Sequence, residues 1–286
     1  MNTGNILVNK STATTMKLYF REQGKGWPMI IVHGLYGSSD NWLTIAKQLE
    51  SHFKIFTVDL RNHGNSPHSN EHSYKAMATD LDEFIESNGI LNPILLGHSM
   101  GGKVVMQYGL SHPEKVHRMV VVDISPLSNT SAHHKQHTID HSNIISALRN
   151  LPIERIESRK EADTILSERV PSERTRSFLL KNLTRSGNTF KWKLNLDALA
   201  TNLEEVMDGF STNTPQHINQ KSFPILFIKG SQSDYIDKRD EEAIKIFYPE
   251  AKIAVVENAG HWVHAEQPQA LTNLLLTFCK EESDFM

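Results

Sequence analysis

A single cysteine stands among the 286 residues, so no internal disulfide can form. The fold must then be held by packing and hydrogen bonds, as in proteins of a reducing compartment. That residue, Cys279, lies in the apolar helical pattern LTNLLLTFCK, where a small buried hydrophobe is expected. No apolar run reaches the roughly eighteen residues a membrane span needs, and no span is expected. The N-terminal stretch MNTGNILVNKSTATT lacks the basic start and apolar core of a secretory signal, which predicts a cytoplasmic location. An excess of charge is missing too. Lys and Arg total 30 against 33 Asp and Glu, for a net charge of −3 without basic runs. No nucleic-acid partner is expected from such a balance.

Hydrophobic residues at 38% and charged residues at 22% describe a globular chain. Its length suits one large domain or a domain with an insertion. Short apolar runs recur, among them MIIVH, ILLG and MVVVD, apolar throughout as in parallel strands covered on both faces. Strands are predicted at Met16–Phe20, Met29–His33, Phe53–Asp59, Pro93–Leu96, Met119–Asp123, Ile225–Lys229 and Lys252–Val256. Helical patterns fall between them at Asn41–Glu50, Tyr74–Asn88, Gly101–Ser111, Arg239–Phe247 and Pro268–Lys280. This alternation predicts a doubly wound α/β sheet. It lapses over residues 127–214, a polar stretch rich in helix formers, read as a mostly helical insertion over the C-terminal edge of the sheet. The core would then be residues 1–126 and 215–286.

Gly97-His98-Ser99-Met100-Gly101 matches G-x-S-x-G at the end of an apolar strand, with a helix after it. In such an elbow the serine takes a strained backbone conformation, and glycines at 97 and 101 remove side chains that would collide. The turn aims the amide of Met100 at an oxyanion formed on a substrate. A serine nucleophile needs a base. His261, in NAGHW after the strand KIAVVE, would lie at the same sheet edge, and its hinge Gly260 favours it over His264. The base needs a carboxylate to hold its tautomer. Asp123 ends MVVVD and Asp234 follows ILFIKG; the order Ser, Asp, His holds with either, and spacing alone does not choose. Asp234 also suits a helix N-terminus. The second oxyanion donor is expected from the His33-Gly34-Leu35 turn, as the amide of Leu35.

Together HGLYGSSDNW, DLRNHGNS, GHSMGGKVVMQYGLSHPEKV, VVVDISP, LLKNL with KWKLNLDAL, and NAGHWVHAEQP resemble the α/β-hydrolase superfamily. Within it the chain is similar to the bacterial YbfF-type esterases over nearly its whole length. The resemblance implies a serine hydrolase with a helical cap, acting on acyl esters or acyl thioesters without metal or organic cofactor. It also implies that the acid is Asp123, with Ser233 supporting the histidine. Asp234, directly after that serine, departs from the pattern and stands as an alternate acid. C–C bond hydrolysis, perhydrolysis or silent ligand binding on the same fold are the alternative functions, whereas a serine in place of aspartate disfavours dehalogenase and epoxide hydrolase chemistry.

Other features have weaker expectations. The turn Asp59-Leu60-Arg61-Asn62-His63-Gly64-Asn65-Ser66 is assigned a structural role. His133, His134, His137 and His141 have helical spacing compatible with metal ligation, but a solvated face is the expected outcome. Lys103 could attract a phosphate of a substrate. Trp262 and Trp192 are pocket candidates, with Trp42 and Phe190 behind them. The polar insertion disfavours an interfacial lipase with a greasy lid.

Overall fold

The computed structural model describes residues 16–127, 132–208 and 223–280. The main sheet begins with β1 (Phe20–Gly24), β2 (Trp27–Val32), β3 (Phe53–Val58), β4 (Ile94–His98) and β5 (Arg118–Val122). The hairpin strands β6 (Leu183–Ser186) and β7 (Thr189–Trp192) pair apart from it, and β8 (Ile225–Gly230) and β9 (Lys252–Val256) complete it. The order across the sheet is β1-β3-β2-β4-β5-β8-β9, with β1 antiparallel and all other neighbours parallel. The strands predicted from apolar runs are those of the main sheet, except that β1 starts four residues late; β6 and β7 are not among the predicted strands. Leu18 packs into the core ahead of it, and FREQG is half-polar because an edge strand has one neighbour and an open side.

Both faces of the sheet are covered, which is why its strands read as unbroken apolar runs. Ile30 and Val32 of β2 pack with α2 (Tyr74–Ser87), α3 (Met100–Ser111) and α9 (Lys238–Phe247) on one side. Met29 and Ile31 pack with α1 (Leu43–Leu49) and α11 (Pro268–Lys280) on the other. Cys279 is buried in that second layer, without a disulfide.

Between β5 and β8 the chain leaves the sheet for α4 (Ala132–Arg149), α5 (Arg159–Ser167), α6 (Glu173–Leu179), the hairpin, α7 (Leu196–Thr201) and α8 (Leu203–Met207). Serine and asparagine side chains start α5, α6 and α7: Ser158 accepts from the Glu161 amide, Ser172 from Thr175 and Asn195 from Ala198. Each such cap contributes about 1 kcal/mol. Leu148, Leu166, Leu179, Leu183, Phe190 and Leu199 give the segment its own apolar cluster. A polar sequence thus encloses a second small core. The return boundary near residue 214 lies outside the described residues. Among the described residues no helix is long and apolar enough to cross a membrane.

The turn after β3 has the structural role its sequence suggests. Asp59 accepts from the amides of Ser39 at 2.6 Å and Asn65 at 2.8 Å, and Arg61 forks onto Asp80 at 2.6 and 2.7 Å. Gly64 has φ +58, and a Cβ there would collide with the Asp59 carboxylate.

Lys103 is buried, and its Nζ donates to the Asp208 carbonyl at 2.6 Å, so it is turned away from any substrate phosphate. Tyr74 donates to the Val206 carbonyl at 2.5 Å. Two core helices therefore clasp the end of α8. Burial lowers the Lys103 pKa to about 7, against the partial opposition of Asp208 and Asp240. The unfolded chain binds this proton up to its ordinary value near 10.5, so between pH 7 and 10 stability rises with pH. Chemical denaturation across that range is expected to show a steeper rise for the native chain than for Lys103→Met. Equal slopes would refute the assignment.

Candidate active site

The ends of the parallel strands bring the predicted residues to one level. Gly97 of β4 pairs with Val121 of β5, and His98 with Val122. The ladder continues one residue further, with the Ser99 amide donating to Val122 at 3.0 Å and the Asp123 amide to Ile228 at 2.7 Å. Ser99 and Asp123 thus leave adjacent strands side by side. Both hold left-handed backbone conformations, with φ 52 and φ 54. Such strain costs on the order of 1–3 kcal/mol and persists only where surrounding bonds over-determine the turn. A Cβ on Gly97 would strike the Gly101 carbonyl, and one on Gly101 would strike the Val32 and His33 carbonyls. These are the collisions that the G-x-S-x-G spacing avoids.

Asp123 is fully buried and accepts three hydrogen bonds. The Gly230 amide donates to Oδ1 at 3.0 Å, while Ser233 Oγ and His261 Nδ1 donate to Oδ2, the latter at 2.8 Å. A carboxylate removed from water is stable as an anion only with such donors. Ser233 therefore supports the carboxylate, and reaches the histidine through it. Asp234 is not brought to His261; its side chain is 65% exposed and lies 3.4 Å from His137. The alternate-acid expectation is corrected accordingly: Ser233 occupies the inward place, and the next residue faces solvent.

With Nδ1–H committed to Asp123, His261 Nε2 carries the lone pair. The loop around it is clamped by Glu266, which accepts from the Gly260 amide at 2.7 Å and the Trp262 amide at 3.3 Å. His98 Nε2–H donates to the His261 carbonyl at 2.8 Å, and burial, with the nearby His261 and His264, pushes its pKa well below the usual range. His98 is thus a neutral strut. His33 and His63 act likewise at the other turn: the Leu60 amide donates to His33 Nε2 at 3.0 Å and the Tyr36 amide to His63 Nε2 at 3.2 Å. The Gly37 amide donates to Gly34 at 2.9 Å, so the turn is fixed on both sides of the Leu35 amide. The Met100 amide opens α3, where a helix leaves its first N–H groups without intrahelical partners.

Ser99, Leu35, His261 and Trp262 line one cavity of about 340 Å³. Its apolar wall includes Phe178, Ile144 and Leu179 from the segment between β5 and β8. Trp262 meets Phe178 at 5.3 Å between ring centroids, and Arg174 lies over Trp262 while pairing with Glu266 at 3.2 Å. Trp42 also lines the cavity and stacks on His264 at 4.5 Å, giving His264 its packing role. Trp192 does not line it. As part of the β6–β7 hairpin, opposite Leu183, it packs on the segment's own apolar cluster with Phe190, which corrects the pocket expectation. The Met100 side chain is buried behind the elbow, so only its amide is available to a ligand.

His137 and His141 reach the cavity, whereas the side chains of His133 and His134 lie outside the described residues. Among the described residues no three His, Cys, Asp or Glu side chains are grouped to hold a metal. Sequence reasoning missed Glu266 and Tyr235, whose ring stacks on His261 with centroids 3.7 Å apart. Glu266 had a local signal, a carboxylate six residues beyond Gly260 able to reach back to the loop amides. Tyr235 had none.

The chain belongs to the α/β-hydrolase fold family, whose model matches residues 28–268. It is 39% identical to the sn-1-specific diacylglycerol lipase ABHD11 of Mus musculus, over 87% of this chain and 80% of that one. Esterase YbfF of Escherichia coli is 30% identical over 93% of this chain and all of its own length. A solved structure described as a marine microorganism esterase superimposes with a TM-score of 0.85, at 41% identity, covering 92% of this chain and 99% of the other.

Gly97→Ala is expected to displace the start of α3 and with it Ser99. Misplacement of about 1 Å costs about a hundredfold in rate, so ester turnover should fall by about that factor while far-ultraviolet circular dichroism stays near native. Undiminished turnover would contradict the packing described.

Proposed function

We propose that the chain is a serine hydrolase that cleaves acyl esters through Ser99, His261 and Asp123. The observation that carries this reading is the His261 Nδ1–Asp123 bond, which leaves the imidazole lone pair at the wall of the cavity that Ser99 also lines. Ser99 Oγ attacks the acyl carbonyl as His261 Nε2 takes its proton. Asp123 holds the tautomer and stabilises the imidazolium. The amides of Leu35 and Met100 bind the oxyanion, each lowering the barrier by about 3–4 kcal/mol. His261 then returns the proton to the leaving group, and water, deprotonated by the same histidine, hydrolyses the acyl-enzyme.

The segment 127–214 acts as a cap, because α4 and α6 supply the cavity wall facing the elbow. The volume of about 340 Å³ lies at the low end of ligand sites and suits short to medium acyl groups. Thioesters present the same carbonyl and are within the proposed scope. The ester-cleaving relatives named above support the reaction class, and a cytoplasmic setting belongs to the same proposal.

Ser99→Ala is expected to abolish nitrophenol release from short-chain nitrophenyl esters, and a fluorophosphonate should label the native chain but not this variant. Turnover retained in Ser99→Ala would end the assignment. A panel of acyl lengths on nitrophenyl, glyceride and thioester leaving groups should show turnover falling as the chain outgrows the cavity.

A further inference from the structure

The histidine-rich run of α4 has no part in the chemistry above, yet two of its members meet the catalytic groups. Tyr235 lies flat on the His261 imidazole, with centroids 3.7 Å apart and planes 17° from parallel. His137 stacks on the same tyrosine at 4.1 Å and 20°. The tyrosine ring is thereby held between two imidazoles. One helical turn on, His141 spans two tyrosine hydroxyls: its Nδ1 is 3.2 Å from Tyr36 and its Nε2 is 3.3 Å from Tyr235.

In either neutral tautomer one ring nitrogen donates to one hydroxyl and the other accepts from the second. The Tyr36 hydroxyl also lies 3.4 Å from the His141 carbonyl, so it stays close to the helix backbone as well as to the ring. Burial, and after it the neighbouring His261 and His137, pushes the His141 pKa down to about 3, so the ring stays neutral as this pattern requires. Both ring nitrogens are engaged, which leaves no lone pair for the metal that the histidine spacing could suggest. Tyr36 adjoins Leu35 on the oxyanion turn, and Tyr235 covers the base.

We propose that His141 is a positioning residue: by bridging the hydroxyls of Tyr36 and Tyr235, it sets the oxyanion turn and the general base in register while α4 is seated on the site. This rests on the assignment of Ser99, His261 and Asp123 made above. Plain packing by His141 would affect substrate capture or folding. Positioning affects the chemical step, because the base and the oxyanion amides must be correctly placed only as the transition state forms.

The test is steady-state hydrolysis of a short-chain nitrophenyl ester by the whole chain and by Ser99→Ala, His141→Phe, Tyr235→Phe and the His141→Phe/Tyr235→Phe double variant. Each single variant at the bridge is expected to lose about tenfold in kcat with KM changed less than about twofold. The double variant should fall no further than the worse single one, because both break the same bond. His141→Gln, whose amide offers both a donor and an acceptor near the ring nitrogens, should recover part of the loss. Tyr235→Phe removes one oxygen and keeps the ring stack, so its unchanged melting temperature serves as the folding control. Native kcat in either single variant, losses confined to KM, or losses that multiply in the double variant would overturn the proposal. If Ser99→Ala is inactive while His141→Phe is fully active, only the positioning role fails. If Ser99→Ala still turns over, the catalytic assignment fails first.

Discussion

The hydrogen bond from His261 Nδ1 to Asp123 is the interaction on which the site depends, and it spans 138 residues of sequence. A carboxylate with no exposure to water must be surrounded by donors, and each donor here constrains a different loop. Gly230 brings the end of β8, Ser233 the turn after it, and His261 the loop after β9. Gly230 can approach only because it lacks a Cβ, which would strike the carbonyls of Ala259 and Gly260. One buried carboxylate thus gathers three loops and orients the His261 ring.

Backbone strain is concentrated at the same edge of the sheet. Tyr36, Asn62, Ser99, Asp123 and Asn258 all have positive φ, and all lie on loops leaving the C-terminal ends of strands. Local bonds offset these conformations: the parallel ladder extends through Ser99 and Asp123, and the imidazoles of His33 and His63 hold the turn after β2. These buried histidines remain neutral because burial lowers their pKa, so they serve as hydrogen-bond struts in an edge crowded with imidazoles. His261 differs from them in being hydrogen-bonded to a buried carboxylate.

The segment between β5 and β8 divides the labour. The sheet supplies the residues assigned to the chemistry. The inserted helices have a core of their own and can present polar and aromatic side chains to the cavity without disturbing the strands. His141 of α4 connects the two parts, since its ring contacts a tyrosine beside each half of the proposed machinery.

The order of strands and helices was legible in the residues because a strand covered on both faces must be apolar, and MIIV, ILLG and MVVV are. The elbow was legible because its collisions are local: Gly97 and Gly101 stand within two residues of the serine they clear. The choice between Asp123 and Asp234 was not local. Both follow apolar strands, and only the resemblance favoured Asp123 before the sheet brought β5 and β8 together and turned Asp234 outward. Trp192 misled for a related reason, since an aromatic residue in the insertion suits either a pocket or a core and the β6–β7 pairing decides. The sequence by itself determined the layered α/β architecture and the glycine-flanked turn at Ser99, which rest on periodicity and on sterics between near neighbours. Tertiary structure alone decided which carboxylate meets the histidine, which tyrosine covers it and which helix touches both, because those contacts join strand ends and loops far apart along the chain.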